Sequence, residues 1–304
     1  MVAPKVSIVI LTKNAGSPFQ ETLRQVYQQR LKPVEVLVID SGSTDGTVDL
    51  ARRYPVHLVQ IEPRDFGHGR TRNLGGNLAK GEFLVFLTQD AVPVSDDWLC
   101  ALVQPLTKDE RLAGVYGRQL PRACNPLEAF ARYYTYPPAS RGYHSEDLLE
   151  FSVFHILFSN VNAALRRDLW VRFPFNEELI MSEDQDWARR VLGEGYNILY
   201  EPKAAVYHSH REGPLQLLKR SFDAGVSFQQ MASNGISHPF PRTWNYLKGE
   251  AQFLIRERKG FWMPLLLPRE AIRAGGFLMG RYGEKIPRRV RRWLSSHPQY
   301  WKQG

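Results

Sequence analysis

The sequence has the length, composition and charge of a globular protein with one large domain or two modest ones. It has 304 residues, 43% of them hydrophobic and 23% charged, which excludes a disordered or collagen-like chain. The net charge of +9 is unevenly spread: residues 211–304 carry 17 Lys and Arg against 6 Asp and Glu, whereas residues 1–210 carry 23 against 25. We therefore expect two parts with different roles, a nearly neutral one followed by a basic one.

The cysteines and the apolar runs indicate the cellular compartment of the protein and its relation to the membrane. Cys100 and Cys124 fit no C-x-x-C spacing, which argues against a zinc finger or a secreted disulfide scaffold and favours a reducing compartment. The apolar runs at 6–11 and 261–267 are far shorter than the roughly 20 residues of a membrane-spanning helix. No signal-peptide pattern is visible. The sequence predicts a cytoplasmic chain, either soluble or peripheral to a membrane.

Strands and helices alternate along the first part of the chain. Apolar, β-branched runs predict strands at 6–11, 34–39, 57–61 and 82–87, and the segments between them predict helices at 17–30, 45–54 and 71–79. Ser17, Pro18 and Gln20 match a capping box for the first helix. This alternation predicts an α/β fold with a Rossmann-like, mostly parallel sheet flanked by helices.

Polar residues collect where the predicted strands end. The first strand is followed by Thr12-Lys13-Asn14, the second by residues 40–46 (DSGSTDG), and the fourth by Thr88-Gln89-Asp90. Ligands of parallel α/β sheets bind beyond the carboxyl ends of the strands, so we expect one site here. Neither G-x-G-x-x-G nor a P-loop is present.

A second acidic motif begins a predicted helix. Ser182 and Gln185 match a capping box, which places Glu183 and Asp184 in the first turn of a helix running to about residue 192. Acidic residues there commonly only balance the helix dipole. The same dipole keeps a carboxylate ionised, as a general base requires. Asp186 lies four residues before Arg190 and is expected to form an ion pair with it.

Taken together, these motifs resemble a known family. The segments VSIVILTKN, VLVIDSGSTDGT, GRTRNLGGNLAKGEFLVFLTQD, SNVNAALRRDLW, SEDQDW and AVYHSH resemble glycosyltransferase family 2, the inverting GT-A enzymes, over about two-thirds of the chain. VIDSGSTDGT, FGHGRTRN and TQDAVP are most similar to bacterial rhamnosyltransferases that use dTDP-L-rhamnose. The resemblance implies a GT-A domain at 1–210, with a donor half at about 1–92 and an acceptor half at about 93–210. A basic, mainly helical region follows at 211–304.

The resemblance implies a donor site at the strand ends. The residues that match the family's donor contacts are Thr12, Asn14, Asp40, Ser41, Arg70, Arg72, Gln89 and Asp90. In the family the residue matching Asp40 accepts a hydrogen bond from a pyrimidine N3–H; the alternative is an Asx turn. Thr12 and Asn14 have the alternative of being turn residues, and Arg72 that of pairing with Asp65 on the surface.

The resemblance also implies a divalent metal, Mg²⁺ or Mn²⁺, bound with the donor diphosphate. The family motif is Asp-x-Asp, but Thr88 occupies its first position, so Asp90 is the only carboxylate left. His208 matches a family position that ligates the metal or touches the diphosphate, and His210 shares its face of the strand. The alternative is a degenerate, inactive site.

The implied reaction is transfer of a sugar with inversion. By resemblance, Asp184 is the base, Glu183 orients the acceptor or its loop, and Asn160 and Asn162 line the acceptor side. The expected donor is dTDP-L-rhamnose and the expected acceptor a saccharide or lipid-linked saccharide in cell-surface polysaccharide synthesis. The alternatives are a UDP-sugar donor, or a non-catalytic scaffold of the same fold.

The basic C-terminal region suits an anionic membrane surface. Arg288, Arg289, Arg291 and Arg292 precede Trp293, and the run at 261–267 supplies apolar anchors. We expect peripheral contact at the inner face of the cytoplasmic membrane. The alternatives are a solvated basic face or a dimer interface. No nucleic-acid-binding module accompanies the charge, so nucleic acid is not an expected partner.

Overall fold

The computed structural model describes residues 5–32, 35–122, 124–150, 157–210, 212–232 and 243–302. Within it the chain forms two compact units. The first comprises residues 1–120, 136–176 and 184–208, and the second comprises residues 121–135, 177–183 and 209–304. The second unit thus contains two segments from within the predicted GT-A region in addition to the basic C-terminal residues.

The first unit is built on one mixed sheet. Its strands are β1 (Val6–Thr12), β2 (Glu35–Asp40), β3 (His57–Gln60), β4 (Phe83–Thr88), β5 (Val92–Pro93), β6 (Leu112–Leu120), β7 (Arg141–Tyr143), β8 (Asn162–Arg166) and β9 (Asn197–Tyr207). The strand order is β3-β2-β1-β4-β8-β6-β9-β5, and β7 also pairs with β9. The four strands predicted from the sequence form the parallel half. β8 runs antiparallel between β4 and β6.

Helices flank this sheet and make up most of the second unit. The first unit holds α1 (Gly16–Tyr27), α2 (Thr47–Ala51), α3 (His68–Leu78), α4 (Trp98–Lys108), α6 (Arg167–Arg172) and most of α7 (Glu183–Gly193). The second unit holds α5 (Pro126–Thr135), α8 (Pro214–Ala232), α9 (Thr243–Arg256), α10 (Leu266–Arg281) and α11 (Arg288–Leu294). The predicted α/β architecture with C-terminal helices is confirmed.

β1, β2 and β4 are buried on both faces, as their continuous apolar runs require, whereas the side chains of the edge strand β3 are exposed or half-buried. Five of the six side chains of β2 and all but one of β1 are buried. α3 lies close against β1, because a Cβ at Gly75 would overlap the Val9 side chain. The register sets Thr12 opposite Asp40 and Leu11 opposite Thr88, which brings the three polar strand ends together.

The start of α1 differs from the sequence prediction. The helix begins at Gly16 and ends at Tyr27, and its N-cap, Ala15, makes no side-chain capping bond, so the Ser17 capping box is wrong. Thr47 Oγ1 instead accepts from the Ala15 N–H at 2.9 Å, and Asp45 Oδ2 from the Gly16 N–H at 3.0 Å. The loop after β2 therefore caps α1, a long-range contact that a local pattern cannot reveal.

The second unit is a helical assembly with small apolar clusters. α8 packs closely on α10, because a Cβ at Gly280 would overlap the backbone of Phe222. Ile180, Phe222, Val226 and Leu294 form one buried cluster, and Leu127, Leu254 and Leu266 form another. Among the residues that the structure describes, no helix is long and apolar enough to cross a membrane.

Candidate active site

The loop after β2 is organised around the buried carboxylate of Asp40. Thr12 Oγ1 and Ser43 Oγ donate to Asp40 Oδ2 at 2.9 and 2.5 Å, and the N–H groups of Gly42 and Ser43 donate to Oδ1 at 3.0 and 2.8 Å. Ser41 closes the link to β1, since its N–H and its hydroxyl both donate to the Thr12 carbonyl at 3.0 Å. Asp40 therefore makes the turn contacts of the structural alternative. Its four hydrogen bonds fix the carboxylate rigidly at the edge of the sheet.

The residues after β1 hold the same loop from the other side. Asn14, with φ of 45°, accepts from the Thr44 N–H through Oδ1 at 2.8 Å. Lys13 Nζ donates to the carbonyls of Ser41 and Gly42 at 2.7 and 2.6 Å. Lys13 is a member of this site that the sequence reasoning passed over, although it stands between two predicted residues.

Gln89 joins the third strand end to the first. Its Oε1 accepts from the Lys13 N–H at 2.8 Å, and its Nε2 donates to the Lys13 carbonyl at 3.2 Å. The ends of β1, β2 and β4 are thus hydrogen-bonded into one polar edge, as the sequence predicts.

The two predicted arginines of α3 differ in environment. Arg72 is 7% exposed and donates from Nη1 to the His68 carbonyl at 3.2 Å, so it lies inside the fold and not in a surface pair with Asp65. The His68 ring in turn lies edge-on to Phe66 at 5.1 Å. Arg70 is exposed, at the solvent side of the first turn of α3.

Asp90 and His208 face each other, with 3.6 Å between Oδ1 and Nε2. The other ring nitrogen of this imidazole contacts Gln119, whose Oε1 lies 2.8 Å from His208 Nδ1. Gln119 Nε2 donates to Tyr136 Oη at 2.6 Å and to Ser159 Oγ at 3.0 Å, so its carbonyl oxygen faces the ring. A His208 Nδ1–H would donate to this oxygen, and Nε2 is the ring nitrogen that faces Asp90.

This pair has the donor chemistry of a divalent-metal site. An imidazole nitrogen and a carboxylate oxygen both suit Mn²⁺ and, with several waters, Mg²⁺. The 3.6 Å separation lets both atoms reach one ion. Metal-bound histidines usually donate their second ring N–H to a fixed acceptor, and Gln119 provides one here. The residues present therefore fit a divalent cation.

Asp184 lies in the first turn of α7 with both carboxylate oxygens hydrogen-bonded. Its Oδ2 accepts from the Asn160 N–H at 3.0 Å and its Oδ1 from the Gln185 N–H at 2.9 Å. Asn160 thus contributes its backbone to the orientation of the carboxylate. As expected, Asp186 pairs with Arg190, at 2.8 Å.

The predicted capping box of α7 is absent. Ser182 has φ of 65°, outside the extended region that an N-cap adopts. The Gln185 side chain donates instead to the Phe158 carbonyl, at 2.7 Å. Glu183, the first residue of α7, is buried in the second unit, where its charge raises the pKa of His297, although burial of the ring lowers that pKa more.

Asn162 lies in the core instead of lining an acceptor surface. It is fully buried, and both ends of its amide are used: Oδ1 accepts from Trp98 Nε1 at 2.8 Å and Nδ2 donates to the Ala204 carbonyl at 2.7 Å. In this conformation no part of Asn162 can touch an acceptor. The residue ties α4 and β9 to β8, a role that its position in a motif could not show.

Comparisons with known proteins identify the family of this chain. The family model of glycosyl transferase family 2 matches residues 7–170. Two curated relatives align along nearly the whole chain: the O-antigen chain rhamnosyltransferases RfbN of Salmonella typhimurium, 33% identical, and WbaN of Salmonella anatum, 31% identical. Each alignment covers 98% of this chain and 96% of the relative. The chain therefore belongs to glycosyltransferase family 2.

Solved structures show the same GT-A fold. The mannosyltransferase PcManGT from Pyrobaculum calidifontis, in complex with GDP-Man and Mn²⁺, aligns with a TM-score of 0.60 at 20% identity, over 99% of this chain and 85% of that one. TarS residues 1–349 from S. aureus, in complex with UDP, aligns with a TM-score of 0.54 at 18% identity, over 92% and 91%. The protein is thus a GT-A glycosyltransferase.

Proposed function

We propose that this glycosyltransferase moves L-rhamnose from dTDP-L-rhamnose to a hydroxyl of a saccharide or lipid-linked saccharide, with inversion, during cell-surface polysaccharide synthesis. The observation that carries the donor assignment is the alignment with two O-antigen rhamnosyltransferases over 98% of the chain. The acceptor class follows from the same relatives. A lipid-linked acceptor would bring the enzyme to the inner face of the cytoplasmic membrane.

In the proposed reaction, Asp184 removes the proton from the acceptor hydroxyl. The oxygen forms a bond to the anomeric carbon as the bond from that carbon to the donor diphosphate breaks, and its electron pair leaves with the diphosphate. Asp184 suits this role because both its oxygens already accept backbone N–H groups, which hold it in place before substrate binds. The backbone of Asn160 positions this carboxylate, and Glu183 would orient the acceptor or its loop.

The strand-end residues would bind the nucleotide. Asp40 and Thr12 face the base, Asn14 and Ser41 shape the loop beside it, and Gln89 joins that loop to Asp90. Arg70 and Arg72 supply positive charge from α3. Mg²⁺ or Mn²⁺, held by Asp90 and His208, would stabilise the growing charge of the diphosphate. Asn162 has no part in this assignment, because its amide oxygen and its amide nitrogen are both bonded to core groups, Trp98 Nε1 and the Ala204 carbonyl.

A thermal-shift panel of nucleotide sugars, each with and without Mg²⁺ or Mn²⁺, tests the proposal. A ligand present at a hundred times its dissociation constant adds about 2.7 kcal/mol to the free energy of unfolding. We expect the largest, metal-dependent stabilisation from dTDP-L-rhamnose. Preference for a UDP-sugar would reject the rhamnosyl donor and keep the transferase. Absence of any stabilisation, with the protein folded, would favour the non-catalytic scaffold.

A further inference from the structure

The turn between α9 and α10, taken here with the helix ends that flank it as residues 255–267, exposes several apolar side chains. Three of its side chains are largely open to solvent, Ile255 at 66%, Phe261 at 87% and Leu267 at 69%, and Leu265 and Met263 are exposed to 46% and 36%. Large apolar side chains that cluster on a protruding segment commonly mark an interaction surface. This segment therefore needs a partner that removes it from water.

The exposure is built into an ordered turn. α9 ends at Arg256, Arg258 then has a φ of 56°, and the Lys259 N–H donates to the Leu254 carbonyl at 2.8 Å. Trp262 packs against the cluster that includes Leu254 and Leu266, and its N–H donates to the Lys259 carbonyl at 2.9 Å. Trp262 and Leu266 thus anchor the turn inward. Phe261 and Leu267, next to them in sequence, are directed outward.

The charges beside these apolar side chains are mostly positive. Arg256, Arg258 and Lys259 are exposed and stand immediately before Phe261. Glu257 is the single acidic residue of the turn, and it pairs with Arg256 at 3.4 Å, so two cations remain in excess. Exposed apolar side chains flanked by cations match the chemistry of an anionic lipid surface, with an apolar interior beneath negative headgroups.

The basic helix that the sequence singled out is partly used within the second unit. Arg288 Nε donates to the Trp301 carbonyl at 2.7 Å, and the Arg291 guanidinium lies over the Trp301 ring at 5.0 Å. Two of the four arginines of α11 therefore make contacts with Trp301 within the second unit. α11 also exposes Trp293 at 58% and Val290 at 44% beside its remaining arginines. The turn at 255–267 exposes more apolar side chains than α11 does, and its cations Arg258 and Lys259 are exposed.

We propose that residues 255–267 dock the protein on an anionic lipid bilayer, with Phe261, Leu265 and Leu267 inserted among the headgroups and Arg258 and Lys259 against the lipid phosphates. The inference complements the proposed function, because a lipid-linked acceptor lies at such a surface. Docking on lipid does not depend on the sugar-transfer reaction. An experiment can therefore find loss of docking without loss of transfer, or the reverse.

Cosedimentation of the full chain with vesicles tests the docking. We expect binding to phosphatidylcholine vesicles that contain phosphatidylglycerol, and much weaker binding to pure phosphatidylcholine. Phe261→Ser with Leu267→Ser should lower the partition coefficient about tenfold or more. Arg258→Ala with Lys259→Ala should lower it about fivefold per charge, an effect that high salt should remove. Val171→Ser, at an exposed apolar position of α6, is the matched control and should bind as the wild type does.

Three results would overturn the proposal. They are absence of binding to the anionic vesicles, unchanged binding of the Phe261/Leu267 variant, and a wild-type dimer that this variant converts to a monomer in light scattering. The last result would make the turn an interface between copies. Each variant should keep the thermal shift with its nucleotide sugar, which separates loss of docking from loss of donor binding or fold.

Discussion

The backbone N–H of Asn160 and the carboxylate of Asp184 are joined by a hydrogen bond of 3.0 Å. The second carboxylate oxygen accepts from the Gln185 N–H at 2.9 Å. Backbone groups, which cannot rotate away as side chains do, therefore set the plane of this carboxylate. The candidate base is oriented by the fold itself, before any substrate arrives.

Replacing Asp184 by Asn should lower kcat by about 10²- to 10⁴-fold, because an amide keeps the shape of the carboxylate but cannot accept the proton. The affinity for the donor should be unchanged, since the donor contacts that we propose lie at the strand ends. Steady-state kinetics and donor titration measure the two effects. Glu194→Gln, at an exposed position just after α7, is the control. Near-normal turnover of Asp184→Asn would show that another group is the base.

Gln119→Leu should weaken Mn²⁺ binding about 10- to 100-fold, because it removes the acceptor that orients His208. Titration of the protein with Mn²⁺, followed by the paramagnetic resonance of the free ion, measures this without any turnover. Gln104→Leu, on the exposed side of α4, should bind Mn²⁺ normally. Unchanged affinity in a folded Gln119→Leu protein would contradict the assigned site.

N3-methylated dTDP separates the two interpretations of Asp40. If its carboxylate accepts the pyrimidine N3–H, methylation should weaken binding to the wild type about tenfold or more, because a buried acceptor loses its partner. Asp40→Asn should lose most of this discrimination. Equal affinities of the wild type for the two nucleotides, measured by calorimetry, would leave Asp40 as the cap of its own loop.

Tyr300→Phe combined with Ser227→Ala should lower kcat about tenfold with donor affinity unchanged. Tyr300 Oη donates to the Glu178 carbonyl at 3.0 Å, and Ser227 Oγ accepts from the Met181 N–H at 3.1 Å. Both bonds hold the segment that leads to Glu183 and α7. Hydrogen exchange at residues 177–183 should accelerate in the double variant and not in Tyr282→Phe, an exposed control. Faster exchange with unchanged kcat would limit these residues to a structural role.

Glu250→Gln should stabilise the protein above pH 7 and have little effect near pH 4.5. Burial in the second unit raises the pKa of Glu250 from 4.5 to about 7, even though Arg269 lies 3.6 Å away. Between these values the folded state keeps a proton that the unfolded state has released, so the free energy of unfolding falls as pH rises.

The gain of Glu250→Gln at pH 8 should be of the order of 1–3 kcal/mol. Urea unfolding at pH 8 and pH 5 measures the free energies. Glu257→Gln, which is exposed, should show no such dependence. A difference that is the same at both pH values would contradict the assigned cause.

Local patterns predicted the parallel half of the sheet well. β1, β2 and β4 are marked by continuous apolar runs, and the convergence of Thr12, Asp40 and Gln89 follows from parallel topology alone. The observed bounds of the four parallel strands differ from the predicted ones by at most one residue at either end. Such accuracy is expected for β1, β2 and β4, because burial on both faces restricts where their apolar residues can lie.

Contacts between distant residues could not be read from the sequence. The hydrogen-bonded residues Gln119 and His208 are 89 positions apart in the sequence, and Asn162 and Trp98 are 64 apart. Neither contact therefore leaves a local sequence pattern. Ser17 and Ser182 matched capping boxes, yet α1 is capped from the loop after β2 and Ser182 takes a left-handed conformation. Short capping motifs are outweighed wherever tertiary contacts already satisfy the helix end.

The hydrogen bond between Tyr300 and Glu178 joins residues 122 positions apart. During translation the parallel strands of the first unit emerge early and can pair while the rest is still being made. The segment at 177–183 cannot form this hydrogen bond until residues near 300 have been synthesised. A chain truncated before Tyr300 would keep the polar edge at the ends of β1, β2 and β4 but leave the segment before α7 without this anchor. This segment therefore depends on a residue that is synthesised long after the parallel strands.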